Sequence, residues 1–173
     1  MRPGPFDLRV EVRDQESRKA TTIRRKILVS DFAQGAFSLS DVMLVNRLTS
    51  SGEKRSIIPN ISGFVGDEAE GFFVFFEMYS RVGQGPVRFV ATVQNTNRDS
   101  VAGLEQIETP LTSTQQVFLK FQDLQLPIGP YVMRIGAYPA DGPTTPERRL
   151  AATSRTFTMR WSDMPFSISD IDK

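Results

Sequence analysis

The chain has 173 residues, of which 39% are apolar and 24% charged, and a formal net charge of +1. That is the profile of one ordinary globular domain, or a domain with part of another, and its balanced charge offers nothing global to attract nucleic acid. Cysteine and histidine are both absent, which excludes disulfides, thiol nucleophiles, a Ser-His-Asp triad, a histidine proton shuttle and the usual zinc sites.

Residues 1–30 carry eight basic and four acidic side chains. These alternate with apolar residues, which reads as a solvated strand face rather than a binding patch. Phe6, Leu8, Val10 and Val12 fall on one face of an alternating segment, with Asp7, Arg9, Glu11 and Arg13 on the other. Polar residues 14–19 supply a turn and residues 20–29 return, so a β-hairpin with one apolar face is predicted. The basic run Ile23-Arg-Arg-Lys-Ile27 lacks the neighbouring aromatics that stack on bases, and no nucleic-acid partner is expected.

Further strands are predicted over residues 39–47, 55–61, 72–80, 87–96, 103–109, 114–121, 131–138 and 150–161. Turn material rich in Gly, Pro, Asn and Ser separates them at 49–52, 83–86, 95–98 and 141–146. Sustained helical periodicity is missing. Short strands at regular spacing predict an all-β fold, an immunoglobulin-like antiparallel β-sandwich of about 7–9 strands, with a barrel as the alternative.

An internal echo bears on domain organisation. Pro3-Gly-Pro-Phe-Asp-Leu-Arg-Val10 resembles Ile128-Gly-Pro-Tyr-Val-Met-Arg-Ile135, and each is followed by a turn and a strand carrying Arg among apolar residues. The second copy reads as the last two strands of the sandwich. By analogy, with a chance match as the alternative, residues 1–32 are the closing hairpin of a preceding sandwich unit, 33–162 form the main sandwich, and 163–173 lead toward a helical domain; an isolated hairpin is only marginally stable, so residues 1–32 pack on the main sandwich, pair with another chain or fray. Ser167 or Ser169 would cap that helix, with Asp170 and Asp172 in its first turn, and a plain disordered tail is the equal alternative.

The segment Gly71-Phe-Phe-Val-Phe-Phe-Glu-Met-Tyr79 holds five aromatics in nine residues. It is far too short to span a bilayer, which takes roughly 18 apolar residues, and no membrane insertion is expected. As a strand, it turns Phe72, Val74, Phe76 and Met78 to the core and Phe73, Phe75, Glu77 and Tyr79 outward. The strands at 87–96 and 131–138 alternate similarly. If the three share a sheet, its outer face collects Phe73, Phe75, Tyr79, Arg88, Val90, Val132, Arg134 and Tyr138. Aromatics and arginine are the types enriched at protein interfaces, so the expected partner is a neighbouring domain or another protein subunit, with cover of that face by the N-terminal hairpin or a loop of the same chain as the equal alternative.

Other chemistry is thinly represented. Gly66-Asp-Glu-Ala-Glu-Gly71 offers three carboxylates to a calcium ion, but EF-hand spacing is absent and a solvated turn is the better reading. Adjacent turn carboxylates do not make the separated pair that glycosidases use. Trp161 with Tyr131 or Tyr138 could stack on a sugar, so a carbohydrate-binding module is the alternative function, although Tyr131 sits on the predicted core face. Asn60-Ile-Ser62 matches a glycosylation sequon, a three-residue pattern of low specificity. No catalytic residue, metal site or cofactor is assigned, and the chain is read as a non-enzyme.

Three segments carry a family resemblance: Phe37-Ser-Leu-Ser-Asp-Val-Met-Leu-Val45, Leu126-Pro-Ile-Gly-Pro-Tyr-Val-Met-Arg134 and Phe157-Thr-Met-Arg-Trp-Ser-Asp-Met-Pro165. Together they resemble the β-sandwich region of bacterial proteins named for a Gly-Trp-x-Thr-Asp motif, the GWxTD-domain proteins. The resemblance covers most of residues 32–173. It implies an exported protein in which a helical domain follows the sandwich, and it implies no activity. The naming motif is absent, since Trp161 is the sole tryptophan and stands in another context. The first residues do not read as a charged-then-apolar leader, which leaves export open.

Overall fold

The computed structural model describes residues 2–32, 35–51, 54–66, 71–81, 85–122 and 124–160. The chain divides into two compact units, Met1–Gly35 and Ala36–Lys173. The first unit is a hairpin of β1 (Gly4–Arg13) and β2 (Ala20–Val29), antiparallel with Gly4 opposite Val29 and Arg13 opposite Ala20. Asp14 shapes its turn by accepting hydrogen bonds from the backbone N–H groups of Glu16 and Ser17. Those contacts hold the Asp14 carboxyl below its usual range, with the Glu16 N–H the largest cause.

The second unit is a β-sandwich of two five-stranded sheets. Its strands are β3 (Phe37–Leu39), β4 (Met43–Ser51), β5 (Lys54–Pro59), β6 (Phe64–Val65), β7 (Phe72–Ser80), β8 (Val87–Gln94), β9 (Ser100–Glu108), β10 (Thr114–Phe121), β11 (Gly129–Pro139) and β12 (Ala151–Met159). The first sheet runs β10-β7-β4-β5, with β3 also paired to β7. The second runs β6-β12-β11-β8-β9. Every pairing is antiparallel except the two-residue β6 beside β12. Among the described residues the only helical element is a 3-10 turn at Pro146–Arg148, and no helix is long and apolar enough to cross a membrane.

The predicted all-β sandwich is present, and all the expected strands form. The 39–47 prediction is interrupted: β3 and β4 are successive pieces along one side of β7, which pairs with β3 at Met78–Ser80 and with β4 at Phe73–Phe75. Ser40 bridges the break. Its N–H donates to the Glu77 carbonyl at 2.9 Å, and its Oγ accepts the Glu77 N–H at 2.9 Å. A side-chain oxygen thus replaces the missing ladder carbonyl, so the chain can shift without orphaning a backbone group.

The core lies between the sheets. Phe72, Val74, Phe76 and Met78 of β7 face Phe89, Ala91 and Val93 of β8, with Tyr131, Met133 and Ile135 of β11 and Phe157 and Met159 of β12. Phe76 meets Phe89 edge-on at 5.2 Å between ring centroids, and Phe72 meets Phe157 at 5.7 Å. Tyr131 is buried with them, and its hydroxyl donates to the Pro127 carbonyl at 2.8 Å. Arg155 reaches from β12 to the Val42 carbonyl at 3.3 Å and so joins the two sheets by a polar contact.

Asn60 organises the segment that leads into β6. It is buried, its Nδ2 donates to the Phe64 carbonyl at 2.6 Å, and its Oδ1 accepts from Ser62 Oγ and the Gly63 N–H, each at 2.9 Å. The sequon asparagine is thus committed to internal hydrogen bonds.

Two stability measurements check this arrangement. Phe76→Ala is expected to cost about 3–5 kcal/mol in denaturant unfolding, the usual price of a large core truncation, whereas Phe75→Ala, one residue along and on the outer face, is expected to cost about 1 kcal/mol. Equal costs would mean that β7 does not present one buried and one outer face. Asn60→Ala leaves the Gly63 N–H and the Phe64 carbonyl without their partner and is expected to cost about 1–3 kcal/mol; an unchanged midpoint would contradict the assigned network.

Two candidate contact faces

Alternation places each expected contact residue on an outer face, but strand order divides them between two surfaces. β7 carries Phe73, Phe75 and Tyr79 in the first sheet, while β8 and β11 carry Arg88, Val90, Val132, Arg134 and Tyr138 in the second. The expectation of a single outer face is therefore corrected. β7 is hydrogen-bonded to β10 on one side and to β3 and β4 on the other, so no edge remains for β8. The chain crosses to the other sheet between β7 and β8 instead of turning back as a hairpin.

The face on the first sheet is aromatic. Cross-strand register puts Met43, Phe75 and Phe118 in one row and Val45, Phe73 and Lys120 in the next. The Phe75 and Phe118 rings lie 5.1 Å apart at 50°, and the Lys120 ammonium sits 5.5 Å from the Phe73 ring centroid. Directly paired antiparallel residues share a face, so these contacts follow from the register. Phe73, Phe75, Phe118 and Tyr79 are half-buried, and Val45 is fully buried in the same outward row. Phe118, Met43 and Val45 are additions to the expected set. Phe118 was accessible to sequence reasoning, because Val117, Leu119 and Phe121 alternate inward around it.

Glu77 and Tyr79 are the polar residues that β7 contributes to this face. The Tyr79 hydroxyl donates to Glu77 Oε2 at 2.5 Å. This hydrogen bond, followed by partial burial and the carboxylate's charge, pushes the phenol up to about 12.

The face on the second sheet is polar, with a shallow depression of about 270 Å³ lined in part by Val90, Thr92, Arg134, Gly136, Tyr138 and Arg149. Gly136 pairs with Val90 on one side and Ala152 on the other. A Cβ at Gly136 would lie 2.7 Å from Tyr138 Cε2, so the tyrosine ring lies across the glycine. Arg134 Nε donates to Gln94 Oε1 at 2.8 Å. Arg88 donates to the Ala140 carbonyl at 3.0 Å and lies 3.7 Å from Glu105. These arginines are held by contacts within the sheet and its adjoining loop. A larger hollow of about 760 Å³ continues beside Ile61, Ser62, Phe64, Asn95 and Thr156.

The sugar-stacking set does not assemble among the described residues. Tyr131 is buried in the core and its hydroxyl is engaged by Pro127, and Tyr138 lies over Gly136. Trp161 and the expected helix cap at 167–172 lie outside the described residues, as do residues 67–70 of the acidic turn. No group of three or more carboxylates able to hold a metal occurs among the described residues. Comparison with models of known protein families, with curated proteins and with solved structures gives no match to this chain.

The Tyr79–Glu77 bond has a spectroscopic consequence. A tyrosine whose folded pKa is raised contributes stability that is fully present below its unfolded value of 10 and is lost as pH rises through 12. The phenolate absorbance difference between the protein and Tyr79→Phe is expected to titrate near 12, and near the ordinary value in a Glu77→Gln background. A midpoint of 10 with Glu77 intact would mean that the bond is absent.

Proposed function

We propose that the sandwich is an immunoglobulin-like, non-catalytic interaction or spacer module of a larger exported bacterial protein, and that it docks on a neighbouring domain or subunit through the outer face of its first sheet. One observation carries this reading: Phe73, Phe75, Phe118 and Tyr79 lie half-buried on the side of the sheet away from the core, with the Phe75 and Phe118 rings in contact and Glu77 standing between Phe75 and Tyr79. Apolar outer faces of this kind mark contact surfaces, and aromatic side chains supply large area at small entropic cost. Covering a few hundred Å² of such surface at about 25 cal/mol per Å² yields several kcal/mol before association costs. The setting in an exported bacterial protein is supported by the resemblance of residues 37–45, 126–134 and 157–165 to the sandwich region of GWxTD-domain proteins.

The residues Arg88, Val90, Val132, Arg134 and Tyr138 belong to a different surface and are not part of this contact. A carbohydrate-binding module is the less favoured reading, because it needs a line of exposed rings and the described residues of the second face offer Tyr138 alone on β8 and β11.

Without its natural partner, the aromatic face is expected to bring copies of the chain together. Light scattering across a concentration series should reveal an association that the Phe73→Ser, Phe75→Ser double variant loses while its far-ultraviolet circular dichroism stays unchanged. A wild-type monomer at every concentration, or an association untouched by the double variant, would overturn the proposed contact.

A further inference from the structure

The hairpin and the last two strands of the sandwich share more than a sequence echo. β1 pairs with β2 from Gly4 opposite Val29, and β11 pairs with β12 from Gly129 opposite Met159. Counting inward from these ends, Phe6–Ile27 corresponds to Tyr131–Phe157, Leu8–Arg25 to Met133–Arg155, and Val10–Ile23 to Ile135–Thr153. The register is the same through each of these positions. Both first strands open on a glycine of positive φ followed by proline, +133° at Gly4 and +152° at Gly129, a conformation that favours glycine. An arginine stands at the same register position of each second strand, and in the sandwich that arginine, Arg155, reaches the Val42 carbonyl in the connection between β3 and β4.

Each taken within its own unit, the two hairpins differ in coverage. Met133 and Ile135 are 0% and 1% exposed, while their counterparts Leu8 and Val10 are 45% and 47% exposed. The opposite face of β1 is dressed for water: Arg9 and Arg13 both pair with Glu11, at 3.0 and 3.2 Å. A two-stranded hairpin is at best marginally stable alone, and a third strand or a packed layer is needed to settle it.

We infer that β1–β2 is the closing hairpin of a second sandwich of this same kind, and that its apolar face is covered by a sheet equivalent to β10-β7-β4-β5. The order of the chain says where that sheet is encoded. All the strands that cover or flank β11–β12, β3 through β10, precede them in sequence. By the same order the strands that complete β1–β2 are encoded ahead of it, in the same polypeptide. Successive sandwiches, each ending in a Gly-Pro-led hairpin, would make a tandem array. This inference rests on the hairpin's register and exposure and is independent of the aromatic outer face.

The test uses the protein produced from its own gene in its own cells. A photoreactive amino acid is placed at Val10, on the apolar face, and in a separate protein at Arg9, on the charged face. The expected result is an intramolecular crosslink from position 10 to a peptide encoded upstream of residue 1, at least tenfold stronger than any from position 9. A crosslink from position 10 to residues 36–160, to a separate protein, or to nothing would overturn the inference. Hydrogen exchange on the unmodified protein from the same cells provides a second reading that no substitution can disturb. The β1–β2 amides are expected to exchange within about tenfold of the rates in β11–β12, and exchange a hundredfold faster or more would equally overturn it.

Discussion

Contact between the inner row of β7 and the opposing sheet is the constraint on which the rest of the sandwich depends. Phe76 against Phe89 and Phe72 against Phe157 join the two layers near the middle and at one end. Burying one such side chain is worth about 1.5–3 kcal/mol, and all four inner residues of β7 are buried. Once that row faces inward, the pleat leaves no choice for Phe73, Phe75, Glu77 and Tyr79. The aromatic outer surface is thus a geometric consequence of the core, in a strand too central to be covered by shifting it to an edge.

Polar groups then set where the regular pattern breaks. Ser40 supplies an acceptor where β3 gives way to β4. Asn60 satisfies the backbone that carries the chain into β6. Asn95 does the same between β8 and β9, its Oδ1 accepting from the N–H groups of Asn97 and Asp99 at 2.9 Å each. Each is a short side chain that takes the backbone hydrogen bonds a neighbouring strand takes elsewhere. Such contacts contribute little apolar burial but define the register that the aromatic rows require.

The two outer faces differ in chemistry. On the first sheet, aromatic rings dominate, with Phe75 and Phe118 tilted against each other, one carboxylate hydrogen-bonded to a phenol and one ammonium over a ring. On the second, arginines engage backbone carbonyl, amide and carboxylate oxygens, and the central strand carries a glycine roofed by tyrosine. The first face has apolar area to bury against another surface. The second already satisfies much of its polar chemistry internally.

Alternation alone was enough to identify the strands, the inner and outer side chains of β7, β8 and β11, and the hairpin with its apolar face, because the side-chain period of a strand is a local property of the backbone. The same local rule missed the break at Ser40 and the two-residue β6, whose causes are hydrogen bonds to Glu77 and within the Asn60 turn. It also could not assign strands to sheets. Sequence neighbours pair often but not always, and β7 and β8, consecutive in the chain, sit in opposite layers because β7 has partners on both edges. That one decision of the tertiary fold split the expected surface in two, separating Phe73, Phe75 and Tyr79 from Arg88, Val90, Val132, Arg134 and Tyr138. Which way a side chain points is written in its own strand; which side chains it stands beside is settled by hydrogen bonds to strands far away in the chain.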